Sequence, residues 1–343
     1  MRTFSILPQC LAALLLCGAA QASTLEQQID ASISQLREIR AGASTEQINV
    51  YNKQMDSAWR LYNADKPNAL PILRARLRQE LAASQPSDLV LLDLGLFVHE
   101  NDDEQGKVLA RMALFRLDPK AEIIGANLQE LFQFTYAVAK EHDPQVLGLI
   151  SSYFLTTDGK VGVPQHAMVL DGTLICVFLY GAYGPEAEAA LRAALSDQAR
   201  SGRALEVLGW LGSPASVSEA GAVLAAKPDY ETLVRVVSYM MRQAGPAGRE
   251  FVLGLDASRF DARSAAYLAS IREAVSKTSY ETYKTEIAKH VPDAPIFQPG
   301  AQRSELIARL EKKRTTDLHR ISDEALGEVQ IDNIMLNALH YQN

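Results

Sequence analysis

The sequence contains little cysteine, and this shortage restricts how the fold can be stabilised. Three of the 343 residues are cysteine, and two of these, Cys10 and Cys17, lie within the first 22 residues. Cys176 is alone in the remainder, so no intramolecular disulfide is available there. It stands in an apolar run and is interpreted as a small buried hydrophobe, which leaves hydrophobic burial as the source of stability.

Basic residues are outnumbered by acidic residues. The chain has 34 lysine and arginine residues against 41 aspartate and glutamate residues, which gives a formal net charge of −7 at pH 7. An acidic field of this kind repels the phosphates of nucleic acids and the anionic surfaces of membranes. We therefore expect no nucleic acid among the partners of this protein.

The best-known catalytic signatures are missing as well. The sequence has no H-E-x-x-H zinc motif, no P-loop, no G-x-S-x-G elbow, no S-x-x-K pair and no C-x-x-C pair. No cofactor and no metal site is therefore predicted, and a binding function is favoured over an enzymatic one. Two polar segments keep a hydrolase hypothesis open. One is the acidic segment 99–104, and the other is a candidate site formed by Asp158, His166 and Asp171 near 156–172.

Residues 1–22 have the pattern of a secretory signal peptide. Arg2 provides a positive start, an apolar stretch follows at 11–16, and Ala20 and Ala22 match the small residues of a cleavage site. We expect cleavage between Ala22 and Ser23, and a mature protein in the periplasm or outside the cell. The apolar stretch is shorter than the roughly 20 residues that cross a bilayer, so no membrane span is expected.

Between residues 178 and 255 the chain repeats one pattern three times. An apolar segment is followed by a turn that closes on a proline, at Pro185, Pro214 and Pro246, and then by a second segment with helical spacing of its apolar residues. Proline fits the first turn of a helix, where a backbone N–H would have no partner. One helical hairpin cannot bury its apolar face alone, whereas stacked hairpins can. The pattern resembles that of HEAT-like helical repeat proteins, and the resemblance implies an all-α solenoid of stacked helical hairpins.

Weaker forms of the same pattern extend the predicted array over 87–290. Residues 23–86 are predicted to form an N-terminal helical cap, 291–303 a proline-rich connector, and 304–343 two C-terminal helices. The helical spacing fails near 156–172, where an Asp-Gly pair and β-branched residues predict a short loop or hairpin insertion. A basic cluster at 309–314 is expected to dock on an acidic face of the array, with an external partner as the alternative.

Stacked helices present a long surface that suits another protein or a peptide. The sequence therefore predicts an exported scaffold for protein–protein interactions, or an inhibitor-like partner of an unidentified protein. The alternative is a hydrolase of envelope material that uses the 156–172 insertion or the 99–104 acidic segment. Both tryptophans, Trp59 and Trp210, lie on apolar helical faces and are interpreted as core. The candidate binding face consists of four polar residues opposite the apolar stripe of the repeats: Glu188, Arg192, Ser218 and Arg249.

Overall fold

The computed structural model describes residues 23–39, 45–163, 168–184, 186–211, 217–243, 245–297, 302–318 and 323–341. Over these residues the chain is helical apart from one pair of short strands, which confirms the predicted all-α class. The predicted signal peptide, Pro185 and Pro214 lie outside the described residues. In chain order the elements are α1 (Leu25–Glu38), α2 (Thr45–Ala64), α3 (Lys66–Ala82), α4 (Asp88–Asn101), α5 (Glu104–Arg116), α6 (Glu122–Ala126), α7 (Leu128–Ala139), α8 (Pro144–Ser152), β1 (Val161–Val163), β2 (Met168–Leu170), α9 (Gly172–Tyr183), α10 (Ala187–Ala194), α11 (Ser201–Leu211), α12 (Val217–Ala226), α13 (Tyr230–Gln243), α14 (Gly245–Gly254), α15 (Ala262–Ser276), α16 (Tyr280–His290), α17 (Arg303–Leu318) and α18 (Asp323–Tyr341).

Most packing is between helices that are neighbours in the chain. Helix α9 packs against α11, and α11 packs against α13, while α10, α12 and α14 each contact the helices beside them in sequence. The apolar positions that keep helical spacing in α13 are buried, including Leu233, Val236 and Met240. One continuous apolar core runs from Ile29 in α1 to Val275 in α15 and also includes Val329 of α18. Cys176 is a free buried thiol and so contributes no disulfide. Burial of apolar side chains along this core is therefore the main source of stability.

The predicted insertion is a two-stranded antiparallel hairpin. Strand β1 pairs with β2 so that Val161 faces Leu170 and Val163 faces Met168. The Asp-Gly pair at 158–159 precedes β1 and does not form the turn between the strands. Val161 and Leu170 are buried, which anchors the hairpin to the helices beneath it, whereas Val169 is exposed.

The C-terminal helices form a second, smaller core and return to the middle of the chain. Ile287 of α16, Leu306 and Leu310 of α17, and Leu336 and Leu339 of α18 are buried together. Helix α18 contacts α13 and α14, and α17 contacts α9. The last helices therefore pack on elements far from them in sequence, in addition to their immediate neighbours.

Within the basic cluster at 309–314, two side chains bind partners inside the C-terminal pair of helices. The Lys313 Nζ atom lies 2.7 Å from a carboxylate oxygen of Asp317 and 3.1 Å from one of Asp332. The buried Arg314 donates a hydrogen bond to the Asn333 side chain. These two cations thus join α17 to α18, and among the described residues neither forms an ion pair with residues 87–290, where the acidic face was expected.

Helix α4 occupies the centre of the N-terminal half. Every residue from Leu89 to His99 is buried, and the helix contacts α1, α3, α5, α6 and α7. A helix that is apolar on all sides belongs in the interior. A Cβ atom at Gly95 would lie 2.7 Å from Cε1 of Phe134, so α4 and α7 cross closely at this glycine. This crossing fixes α7 beside α4 and so positions the floor of the cleft described next.

Candidate functional site

A cleft of about 720 Å³ opens between α2 and α7, with Leu96 of α4 in its lining. This volume is within the range of roughly 300–1,000 Å³ that is typical of ligand pockets. The lining residues on α2 recur at helical spacing from Asn52 to Ala64, so the cleft extends for about 18 Å along that helix at 1.5 Å per residue. The lining consists of Asn52, Met55, Asp56, Trp59, Arg60, Asn63, Ala64, Leu96, Gln129, Glu130 and Gln133.

Trp59 joins this cleft to a buried carboxyl group behind it. The indole Nε1 of Trp59 donates a hydrogen bond of 2.8 Å to Oδ1 of Asp93, and the Tyr62 hydroxyl lies 3.3 Å from Oδ2. The Trp59 and Tyr62 rings both pack edge-on against Phe97, with centroid distances of 5.2 and 5.0 Å. These contacts hold the indole in a defined orientation at the cleft wall, because both its ring and its N–H have fixed partners.

Asp93 has no exposed surface, and burial is the main influence on its acidity. Loss of water penalises the charged form and raises the pKa of Asp93 to about 7, against the opposing hydrogen bonds from Trp59 and Tyr62. The neighbouring Glu130 raises this pKa further through charge repulsion. The Asp93 carboxyl is inaccessible to a ligand, and its role at the cleft is to orient the tryptophan.

Glu130 lines the cleft as a half-buried carboxylate without a cation. Among the described residues no lysine, arginine or histidine forms an ion pair with it. Burial raises the pKa of Glu130, since loss of water disfavours the ionised form. The carboxylate accepts a hydrogen bond from its own backbone N–H, but a carboxylate removed from water without a cation still destabilises the free protein. A ligand that supplies a positive charge at this point offsets that cost.

The rim of the cleft on α2 adds exposed polar groups. Asp56 and Arg60 lie one helical turn apart, and within the described part of the chain neither forms an ion pair. The Asn63 side chain donates to the Trp59 backbone carbonyl at 2.9 Å, whereas Asn52 is exposed at the other end of the cleft. Amide side chains both donate and accept hydrogen bonds. The cleft therefore offers paired donors and acceptors beside two carboxylates and one guanidinium.

The residues of the predicted insertion site have structural partners where they are described. The Asp158 carboxylate is 2.6 Å from Nη2 of the buried Arg203, which also donates to the backbone carbonyl oxygens of Phe154 and Thr157. Asp171 is the N-cap of α9 and accepts hydrogen bonds from the N–H groups of residues 173 and 174. His166 lies outside the described residues, so the convergence of all three side chains stays a prediction.

The four residues of the predicted binding face lie at or near the surface of the protein, and two of them bridge neighbouring elements. Arg192 of α10 contacts Glu188 at 2.7 Å on its own helix and also pairs with Glu219 of α12. Arg249 donates to the backbone carbonyl of residue 275 at the end of α15 and pairs with Glu250. Ser218 is exposed. The arginine side chains of this face thus stabilise contacts between successive hairpins.

The acidic segment 99–104 is likewise used within the fold. His99 is buried, and its Nε2 lies 3.1 Å from Oε1 of Glu141. Asp102 pairs with Arg74 of α3, and Asp103 caps α5 by accepting from the N–H of residue 106. Across the described ranges no group of three or more histidine, cysteine, aspartate or glutamate side chains is placed to hold a metal ion.

The sequence interpretation missed the cleft, although one signal for it was present. Asp93 is a lone carboxylate in the apolar run 89–98, and such a residue needs buried partners. Trp59 was assigned to the core, whereas the structure leaves it half-buried at the cleft wall. Trp210 is buried, as predicted. Glu130 carried no local signal, because its importance depends on α7 lying opposite α2.

In comparisons with known proteins, no family model matches the chain, and no curated protein or solved structure matches it either. Among the helices that the structure describes, none combines the length and apolar character that a membrane crossing requires.

Proposed function

We propose that this chain is an exported helical-repeat protein, a HEAT-like solenoid, that binds an extended segment of another protein in the cleft between α2 and α7. The observation that carries the proposal is the cleft itself, a volume of about 720 Å³ with unpaired polar groups on both walls. Export is supported by the signal-peptide pattern of 1–22. The repeat architecture is supported by the proline-punctuated hairpins at 178–255 and by the packing of α9, α11 and α13 in succession.

The shape of the cleft favours a peptide over a compact ligand. Its length of about 18 Å along α2 accommodates about five residues of extended chain at 3.3–3.6 Å each. An extended peptide carries a backbone N–H and C=O at every residue, and each needs a partner when it leaves water. The side-chain amides of Asn52, Asn63, Gln129 and Gln133 can supply both kinds of partner.

A binding function accounts for the lining better than a catalytic one. Among its described lining residues the cleft has no histidine, cysteine, serine or lysine, so no hydroxyl or thiol nucleophile is paired with a base there. At the insertion, Asp158 and Asp171 are occupied by Arg203 and by the N-terminus of α9. We therefore do not extend the proposal to a hydrolase.

Selection from a library of random peptides displayed on phage tests this proposal. The mature protein is compared with two variants. Ala64→Trp places a large ring in the cleft at an exposed lining position. Ser57→Trp is the matched control, because it places the same ring on the solvent side of the same helix. We expect peptides that bind the wild type and Ser57→Trp and that bind Ala64→Trp at least about tenfold more weakly. Recovery of no peptide, or of peptides that bind Ala64→Trp equally well, would overturn the proposal.

A further inference from the structure

The cleft holds one feature that selects among peptides, which is the unpaired carboxylate of Glu130. We propose that Glu130 and Trp59 together form a subsite for the cationic side chain of a bound peptide, a lysine or an arginine. The inference rests on the proposed function, because it names the chemical class of the residue that the cleft recognises.

The first argument is the state of Glu130 in the free protein. Its side chain is half-buried in the wall formed by α7, and the described residues provide it with no cation. Two other carboxylates removed from water have a cation beside them: Glu141 binds Arg111 and lies 3.1 Å from His99, and the buried Asp332 lies 3.1 Å from Lys313. An unpaired carboxylate in a cleft is a destabilising feature that a positively charged ligand relieves.

The second argument is an aromatic ring that lines the same cleft. Trp59 lines the same cleft, and indole is the strongest aromatic partner for an ammonium or guanidinium group. Its orientation is fixed from behind by the 2.8 Å hydrogen bond to Asp93 and by the edge contact with Phe97. A ring that is held in place loses little conformational entropy when a cation packs against it.

The third argument is the charge balance around the subsite. Asp56 adds a second carboxylate at the rim, and Arg60 is the one cation among the described residues of the lining. Asp56 and Arg60 are both exposed on α2, where water and salt screen the effect of each on an incoming charge, so the half-buried Glu130 is the main attraction. The whole chain carries a net charge of −7, which attracts a basic segment from a distance.

The test compares two peptides that differ only in charge. The probes are acetyl-Ala-Ala-Lys-Ala-Ala-amide and the same peptide with norleucine in place of lysine, so that the termini are neutral and the hydrocarbon stem is kept. Binding is followed by the fluorescence of Trp59 in a Trp210→Phe background, which leaves one tryptophan in the chain. We expect the lysine peptide to bind at least about tenfold more tightly than the norleucine peptide.

Two variants separate local recognition from the general field of the protein. Glu130→Gln keeps the shape of the side chain, and we expect it to bring the affinities of the lysine and norleucine peptides to within about twofold of each other. Glu38→Gln removes one negative charge from an exposed position of α1 outside the cleft and is expected to leave the ratio unchanged. Equal binding of the two peptides overturns the cation subsite but leaves the peptide cleft standing. If neither peptide binds at millimolar concentration, the subsite is also overturned, and the phage selection decides the proposed function separately.

Discussion

Replacement of Asp93 by asparagine is expected to change how the stability of the protein depends on pH. The folded protein raises the pKa of this buried carboxyl from an ordinary value of 3.8 to about 7. Between these two values the unfolded chain carries an ionised aspartate, whereas the folded chain keeps the proton. Unfolding therefore releases a proton, and the contribution of Asp93 to stability falls as the pH rises from about 4 to 7.

The magnitude follows from the two pKa values. The difference between 3.8 and about 7 corresponds to about 4 kcal/mol of unfolding free energy, as an order of magnitude. Asparagine cannot ionise, and its side-chain oxygen can still accept the hydrogen bond from Trp59. We therefore expect the unfolding free energy of Asp93→Asn, relative to that of the wild type, to increase by up to about 4 kcal/mol between pH 4 and pH 8.

Urea unfolding followed by far-ultraviolet circular dichroism at a series of pH values measures this difference. Titrating groups that do not interact with Asp93 contribute equally to both proteins and cancel in the comparison, and Glu130, which repels Asp93, is the exception. Asp93→Leu is a useful second variant, since it removes the same titration but also leaves the Trp59 N–H without an acceptor, at a cost of about 1–3 kcal/mol at every pH. A stability difference that stays flat across this range, or that moves in the opposite direction, would show that Asp93 is ionised in the folded protein.

Three further predictions concern other buried groups. Glu130→Gln is expected to stabilise the protein without ligand by about 1 kcal/mol at neutral pH, because it removes an unpaired carboxylate; a lower melting temperature in differential scanning fluorimetry would contradict this. Burial raises the pKa of the Cys176 thiol to about 12, so Ellman's reagent should react with this thiol only as urea unfolds the chain. Rapid reaction of Cys176 in the folded protein would count against its burial. Arg203→Lys removes the guanidinium group that binds two backbone carbonyls and Asp158. The unfolding free energy measured in urea should fall by about 2 kcal/mol, and amide exchange in the β1–β2 hairpin should become faster. An unchanged urea midpoint would refute the role given to Arg203.

Local periodicity was enough to predict the helices and much of the core. Ile29, Ile33 and Leu36 keep helical spacing in the sequence, and all three are buried on one face of α1. The insertion near 156–172 was also predictable, since turn residues and β-branched residues interrupt a helical pattern, and Val161 pairs with Leu170 there. These features depend on residues close together in the chain.

Features that depend on distant packing were not predictable from the sequence. The cleft exists because α2 and α7 lie on either side of α4, and periodicity within each helix does not determine this arrangement. The return of α18 to α13 and α14 has the same origin. Lys313 illustrates the point: its charge signalled an ion pair, but only the packing of α17 on α18 makes Asp332 the partner.

A crystal structure of the mature protein with a lysine-containing peptide from the phage selection tests the account most directly. The account predicts an extended peptide along α2, with the lysine Nζ atom within about 4 Å of the Glu130 carboxylate and against the Trp59 ring. A peptide bound on the surface that carries Arg192 and Arg249, or one in the cleft with its lysine directed into solvent, would contradict it.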